Sequence, residues 1–427
     1  MALHYSWGLI KYSLNLLLFI TEIGLWGIFI YYSVISIFGW FKRKEPPASQ
    51  FPFETKFAVL IAACNEEAVV PGVINSLKRL NYPKSLYEIF IIADNCTDNT
   101  AKVARSLGVN VYERFDPVKK GKGFSLEWMF KNLFSLKTKY DAICILDADN
   151  LVSANFLAEM NKHLCMGQKV IQGYLDSKNP HDTWVSGNYS IAYWISNRLF
   201  QLPRHYLGLN CALGGTGFVM STEVLRETGW GATCLTEDLE FSMKLVLRGM
   251  RVAWAHEAVI YDEKPLRLSQ SWRQRTRWMQ GHSDCARRFA KKLFVKAFRD
   301  HDMVSFDAAL YLIQPFLLVI NGLGMLLGLV QSCTKMFAHH HMMITEQTWL
   351  YILIMVFLTY INIVFVIAEG KLTKKIVAYF VIFPIYSLTW IPIIIQGFLN
   401  RNHHDWIHTV HTRAIDISDV EELEKVV

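Results

Sequence analysis

Four long apolar runs, at residues 8–40, 303–331, 348–368 and 376–399, constrain this chain more than anything else in its sequence. A helix of about 20 apolar residues crosses the hydrocarbon of a bilayer, and the first run exceeds that length. It is too long for a signal peptide and shows no small-residue cleavage site. "FKRK" (41–44) and a Pro/Ser linker, "EPPASQFP", follow it. The positive-inside rule places those cations in the cytoplasm and the N-terminus outside. If the three later runs all crossed from a cytosolic domain, the C-terminus would also lie outside. The last run carries Pro384 and Pro392, candidates for bends. Bent backbone is tolerated at membrane depth where protein buries it, so one late run is expected not to cross simply.

The net charge of +7 raises nucleic acid as a partner, but only 19% of residues are charged. The basic clusters flank apolar runs, which points to anionic membrane lipid and away from nucleic acid. None of the eight cysteines forms a CxxC pair, so neither a zinc framework nor a disulfide framework is expected.

Between the runs, residues 55–260 change character. "KFAVLIAACNEE", "YEIFIIADNCTD", "VNVYER" and "YDAICILDADN" read as strands, and "AVVPGVINSLKRL", "NTAKVARSLG" and "GFSLEWMFKNLF" read as helices. Strands alternating with helices indicate an α/β domain with a largely parallel sheet. Such sheets bind ligands at the carboxyl ends of their strands, and these strands end in polar or acidic residues.

Several strand ends carry chemistry. "ILDADN" sets Asp147 and Asp149 at the mouth of an apolar strand, where two carboxylates can hold a hard divalent cation; alone, the same pattern suits a solvated loop. Asp94 ends an earlier strand, where an acid can bond a nucleoside or belong to a helix cap. "VKKGKGFSL" places Lys122 beside two glycines before a helix, which lets phosphate approach; it lacks P-loop spacing. "CLTEDLEF" reads as a helix start, with Thr236 as N-cap and Glu237 and Asp238 in the first turn. Its other reading makes Asp238 a general base. "QRTRW" supplies Gln274, Arg277 and Trp278: a planar fork for diphosphate and an indole for a sugar face, or a juxtamembrane basic stretch.

In this order, the acid after the second strand, the Lys/Gly loop, D-x-D, T-E-D and Q-x-x-R-W resemble the family-2 membrane glycosyltransferases. The likeness is greatest to the processive cellulose, hyaluronan and poly-N-acetylglucosamine synthases, and it covers roughly residues 55–300. It implies an α/β GT-A (Rossmann-like) domain on the cytosolic face with flanking transmembrane helices, in an integral protein of the plasma membrane. It also implies a nucleotide-sugar donor, usually UDP-linked, Mg2+ or Mn2+, and a glycan or lipid acceptor. By motif, Glu66 and Asp94 resemble nucleoside contacts, Lys122 a phosphate contact, and Asp147 and Asp149 the donor carboxylates, with Asp149 on the metal. Asp238 resembles the catalytic base. Arg277 resembles the diphosphate ligand, and Gly215, Thr216, Glu237, Gln274 and Trp278 resemble the acceptor side. "WIHTVH" is similar to the F-x-V-T-x-K gating loop of cellulose synthase, with Trp406, Thr409 and His411 on its aromatic, threonine and basic positions.

The expected organisation is a membrane helix and basic flank (1–44), the glycosyltransferase domain (45–262) and interfacial amphipathic helices (263–302). A C-terminal membrane region (303–400) and a tail with the gating-loop likeness (401–427) complete it. Two alternatives stay open: a glycolipid synthase of the ceramide-glucosyltransferase kind, and, outside enzymes, a membrane transporter or sensor using the same pocket.

Overall fold

The computed structural model describes residues 23–339, 353, 356, 357, 360–402 and 413–425. Trp406, Thr409 and His411 therefore lie outside the described residues.

The strands are β1 (Phe57–Ala63), β2 (Tyr87–Asp94), β3 (Asn110–Arg114), β4 (Ala142–Asp147), β5 (Leu151–Val152), β6 (Val170–Ser177), β7 (Phe218–Ser221) and β8 (Ala253–Asp262). They form one sheet in the order β3-β2-β1-β4-β7-β6-β8-β5. β1 pairs in parallel with β2 and β4, and β2 with β3, as the alternation predicts. β7 runs antiparallel to β4 and β6, and β5 antiparallel to β8, so the second half of the sheet is mixed.

β1 shows why these residues form a central strand. Phe57, Val59, Ile61 and Ala63 enter one core cluster and Ala58 and Leu60 the other. A strand covered on both faces must be apolar throughout, which its sequence satisfies. Helix α2 (Val70–Lys78) covers the first face with Val70, Val73, Ile74 and Leu77, a spacing that makes one helical stripe. Helix α4 (Lys122–Ser135) covers the second with Leu126, Met129, Phe130 and Leu133. The chain winds β1 to β2 in one direction and returns to β4 in the other. The crevice where the order reverses is where α/β sheets place ligands.

The segment expected to hold interfacial helices (263–302) is largely one continuous helix of 33 residues, Leu268–Asp300, termed here the QxxRW helix. It packs through Cys285, Phe289 and Leu293 onto the helix Glu237–Leu247, termed here the TED helix. Two helices among the described residues are long and apolar enough to cross a membrane: Met303–Leu323 and Lys374–Leu399. Ile23–Ile37 is a shorter apolar helix. The second long helix is broken at Thr389 into Lys374–Leu388 and Trp390–Leu399.

The chain on either side of that broken helix touches the α/β domain or the QxxRW helix. Before it, Glu369 pairs with Arg198 at 2.8 Å and Lys371 with Asp176 at 2.7 Å. After it, Gln280 donates to the Asn400 carbonyl at 3.1 Å, and the Arg413 N–H donates to Glu263 Oε2 at 3.1 Å. Arg204 holds the start of the first long helix, pairing with both oxygens of Asp307 at 2.9 and 3.0 Å. Both side chains of that pair are 1% exposed. Removing one member strands the other charge in the interior. Asp307→Ala is therefore expected to cost about 3–5 kcal/mol and Arg204→Met/Asp307→Leu far less, as read by unfolding of the two purified variants.

Candidate active site

The D-x-D turn is pinned by hydrogen bonds. The Asp147 N–H is shared between Asn150 Oδ1 and Thr216 Oγ1, each at 2.9 Å, and the Thr216 hydroxyl donates to Asn150. Lys122 opens α4 and reaches across to pair with Asp147, while also donating to the Gly215 carbonyl at 2.8 Å. Asp149 is buried, and its Oδ2 accepts the Glu263 N–H at 2.9 Å. Next to it, Asp262 is pushed up to about 6, first by burial and then by the charge of Asp149, against the pull of Lys264. Lys264 is itself buried, 2.7 Å from Asp262 and 3.4 Å from the centre of the Tyr193 ring.

The start of the TED helix faces this turn. Gly215 has φ +78°, which a side chain resists, and a Cβ placed there would lie 3.4 Å from Asp238 Oδ2. Asp238 stands in the first turn of the TED helix, and its Oδ1 accepts the Leu239 N–H at 2.8 Å. Thr236 occupies the N-cap position but makes no side-chain cap bond. Its side chain packs against the QxxRW helix, where a Cβ on Gly281 would sit 2.7 Å from Thr236 Cγ2 and 2.8 Å from its backbone N. Thr233, three residues upstream, instead donates to the Glu240 carboxylate, through its N–H at 3.0 Å and its hydroxyl at 2.7 Å.

The QxxRW helix thus brings its motif beside the TED helix. The Gln274 carbonyl oxygen accepts from Tyr189 Oη at 2.6 Å, and Trp278 meets the Tyr189 ring edge-on at 6.0 Å. Arg277 is close enough that its charge, with that of Lys122, acts on Glu237. Arg275 points the other way. It is fully buried, donates to Thr389 Oγ1 at 2.9 Å and lies over Tyr386 and Trp390.

At the ends of the first two strands the remaining acids are already engaged: Asp94 ends β2 and pairs with Arg114 at 2.6 Å. Burial nevertheless raises its pKa. Glu66 is buried after β1, its N–H bonded to Thr100 Oγ1 at 2.8 Å. Asn65 and Asn95, with φ of 55° and 53°, turn the chain out of β1 and β2. Their side chains tie the loops together, accepting from the Thr97 N–H at 2.7 Å and the Asp116 N–H at 2.9 Å.

Glu237 is pushed up to about 7, first by burial and next by Asp238, with Lys122 and Arg277 opposing. A carboxyl raised on folding stabilises the fold fully below its ordinary range, and that contribution is lost as pH rises through about 7. Glu237→Gln is therefore expected to flatten the fall in melting temperature of the unliganded protein between about pH 4.5 and 7. Parallel melting series of wild type and variant check this.

Lys122, Asp147, Gly215, Glu237, Asp238 and Arg277 are linked by contact or by charge, and Asp149, two residues on from Asp147, lies beside Asp262 and Glu263. Thr216 is buried, bonded within the D-x-D turn. Gln274 and Trp278 lie against Tyr189, and Glu66 and Asp94 stand at the neighbouring strand ends. Asn150, Arg114, Tyr189, Asp262 and Lys264 escape a reading from sequence. Only Asn150 adjoins a motif; the others come in from separate elements.

Among the described residues, no three histidine, cysteine or carboxylate side chains converge as a metal-binding group. The crowding of Asp149 and Asp262 still favours added positive charge. One or two carboxylates completed by donor phosphates and water is how Mg2+ is commonly held, and the donor set fits that.

Residues 54–281 match the family described as "Glycosyltransferase like family 2". "Probable glycosyltransferase YdaM" of Bacillus subtilis is 24% identical over 415 residues, covering 91% of this chain and 94% of the relative. "Poly-beta-1,6-N-acetyl-D-glucosamine synthase" of Staphylococcus aureus is 26% identical over 281 residues, with 63% and 66% covered. "Beta-monoglucosyldiacylglycerol synthase" of Nostoc is 27% identical over 237 residues, 52% of this chain and 48% of that relative. The mannosyltransferase PcManGT from Pyrobaculum calidifontis, solved in complex with GDP-Man and Mn2+, has a TM-score of 0.58 at 14% identity. That match covers 90% of this chain and 96% of the other, and at such identity it speaks for the fold alone.

Proposed function

Because the chain belongs to the family-2 glycosyltransferases and its sheet is of the GT-A type, we propose that it is a membrane-embedded inverting transferase. It takes a nucleotide-diphosphate sugar, UDP-linked in the first instance, and elongates a β-linked polysaccharide, which it also passes across the membrane. One observation carries the reading. Lys122 bridges Asp147 and the Gly215 carbonyl, and Asp238 Oδ2 faces Gly215, so donor charge and base meet at one point.

Asp238 accepts the proton of the acceptor hydroxyl as that oxygen attacks the anomeric carbon. Lys122 and Arg277 stabilise the charge that builds on the departing diphosphate. Asp149, with Asp147 beside it, would hold Mg2+ or Mn2+, whose charge offsets that of the leaving group. Glu66 and Asp94 hold the nucleoside. Trp278, Gln274, Glu237, Thr216 and Gly215 form the acceptor side, and Trp406, Thr409 and His411 close over the diphosphate.

The contacts at Glu369, Lys371, Asn400 and Arg413 support a topology in which Lys374–Leu399 starts and ends on the catalytic side. The tail is then cytosolic, as a gating loop requires, and the membrane is the plasma membrane. The cationic face of the QxxRW helix, with Arg287 and Phe298 exposed, suits anionic lipid.

A lipid acceptor is the second reading, favoured by the likeness to the Nostoc synthase. Purified protein with Mn2+ and a panel of labelled UDP-sugars tests both. Product retained on a sizing column supports polymer, and product extracted into organic solvent supports glycolipid. Absence of UDP release with every donor overturns the transferase reading.

A further inference from the structure

The last described segment, residues 413–425, folds back onto the α/β domain at the rear of the D-x-D turn. Its helix, Ile417–Lys425, buries Ile417 and Val420 against Leu151 and Tyr261, each side chain at most 5% exposed. Leu151 follows directly on Asn150, and Tyr261 directly precedes Asp262. The seat is shaped for this segment. A Cβ on Gly72 of α2 would lie 3.1 Å from the Ile415 carbonyl and 3.2 Å from Leu151 Cδ2, so backbone approaches there because the helix has no side chain.

Polar contacts continue the seat toward the site. Arg79 at the end of α2 pairs with Asp416 at 2.9 Å. Arg413 pairs with Asp182, and Lys178, itself buried, donates to the Arg413 carbonyl at 3.5 Å. The Arg413 N–H donates to the Glu263 carboxylate at 3.1 Å, and the Glu263 N–H donates to Asp149 Oδ2 at 2.9 Å. One residue, Glu263, therefore stands between the tail and the second acid of D-x-D.

We propose that residues 413–425 are a positioning strap that fixes Asp149 through Glu263 and fixes the D-x-D turn through Leu151 and Tyr261. The strap rests on the reading of Asp149 as a donor and metal carboxylate. Its residues touch no reacting atom; they act by holding a ligand carboxylate in place, as outer partners of metal sites do.

The test uses the full chain carrying Ile417→Asp/Val420→Asp, with Ile417→Ala/Val420→Ala as a milder variant and Ile417→Val as conservative rescue. Hydrogen exchange is followed at residues 147–152 and 259–263, with β1 as internal control. The strap predicts exchange faster by about tenfold at those two segments, β1 unchanged, and recovery in Ile417→Val. It also predicts that the Mn2+ concentration giving half-maximal UDP release rises about tenfold, with the rate at saturating Mn2+ little changed. If Ile417→Asp/Val420→Asp loses protection everywhere, the milder variant must give the local pattern instead. Unchanged exchange at 147–152, or a rate lowered equally at every Mn2+ concentration, overturns the proposal. If wild type releases no UDP, the transferase reading fails, and the exchange measurements still decide the strap.

Discussion

Asp238→Asn abolishes sugar transfer while leaving donor binding in place: that is the result expected, with kcat lower by about 10²–10⁴. The replacement keeps the shape and the acceptor for the Leu239 N–H, which holds Oδ1 at 2.8 Å. It removes the charge on Oδ2, the oxygen facing Gly215. Burial raises the pKa of Asp238, against the Leu239 N–H and the charge of Lys122. A base raised toward the working pH is better matched to proton abstraction than an ordinary carboxylate. Transfer rates with labelled donor, beside UDP binding measured calorimetrically, check the prediction. Retained transfer would remove Asp238 from the base role. A sensor or transporter using this pocket would instead keep its function in the variant.

The second large effect is expected at Arg277. Arg277→Ala should lower kcat by about 10²–10³, because a fixed donor aimed at developing charge is worth that much in a water-poor site. Arg277→Lys should recover part of it, since ammonium keeps the charge and loses the planar fork. Arg275 is the internal contrast two residues away. Its guanidinium is spent on Thr389 and the rings of Tyr386 and Trp390, so Arg275→Ala should lower the melting temperature more than the turnover of the folded fraction. Steady-state rates and melting curves on the same preparations separate the two arginines. Equal catalytic losses at both positions would contradict the division of labour.

The legible part of the fold is the run from β1 to β4, where strands alternate with helices. β1 and β4 are apolar up to their ends, as strands buried on both faces are, and the polar ends of β2 and β4 mark the crevice; β6 is buried along its whole length yet carries Gln172 and Asp176, which hides it. The antiparallel pairing of β7 with β4 and β6 was not legible. Phe218–Ser221 is four residues long, and its place is set by partners far along the chain. The site divides in the same way. Asp147, Asp238 and Arg277 belong to compact motifs with a stated chemistry. Arg114, Tyr189 and Lys264 do not. Each matters through a partner 20 or more positions away: Asp94 for Arg114, Gln274 for Tyr189 and Tyr193 for Lys264. Thr236 takes the N-cap position that its sequence predicts, but its side chain makes no cap bond, for a similar reason. A neighbouring helix claims its side chain, and nothing local to "CLTED" shows that helix.

That neighbour has a consequence for how such chains are recognised. The QxxRW helix approaches Thr236 so closely that position 281 has no room for even a methyl group. The usable string is therefore eight letters, Q-x-x-R-W-x-x-G, because the final glycine is the spacer that lets the TED helix start against the helix that carries Arg277. A chain that matches the first five letters but carries a larger eighth residue must seat its TED helix farther out. It can share this chain's alphabet without sharing its geometry.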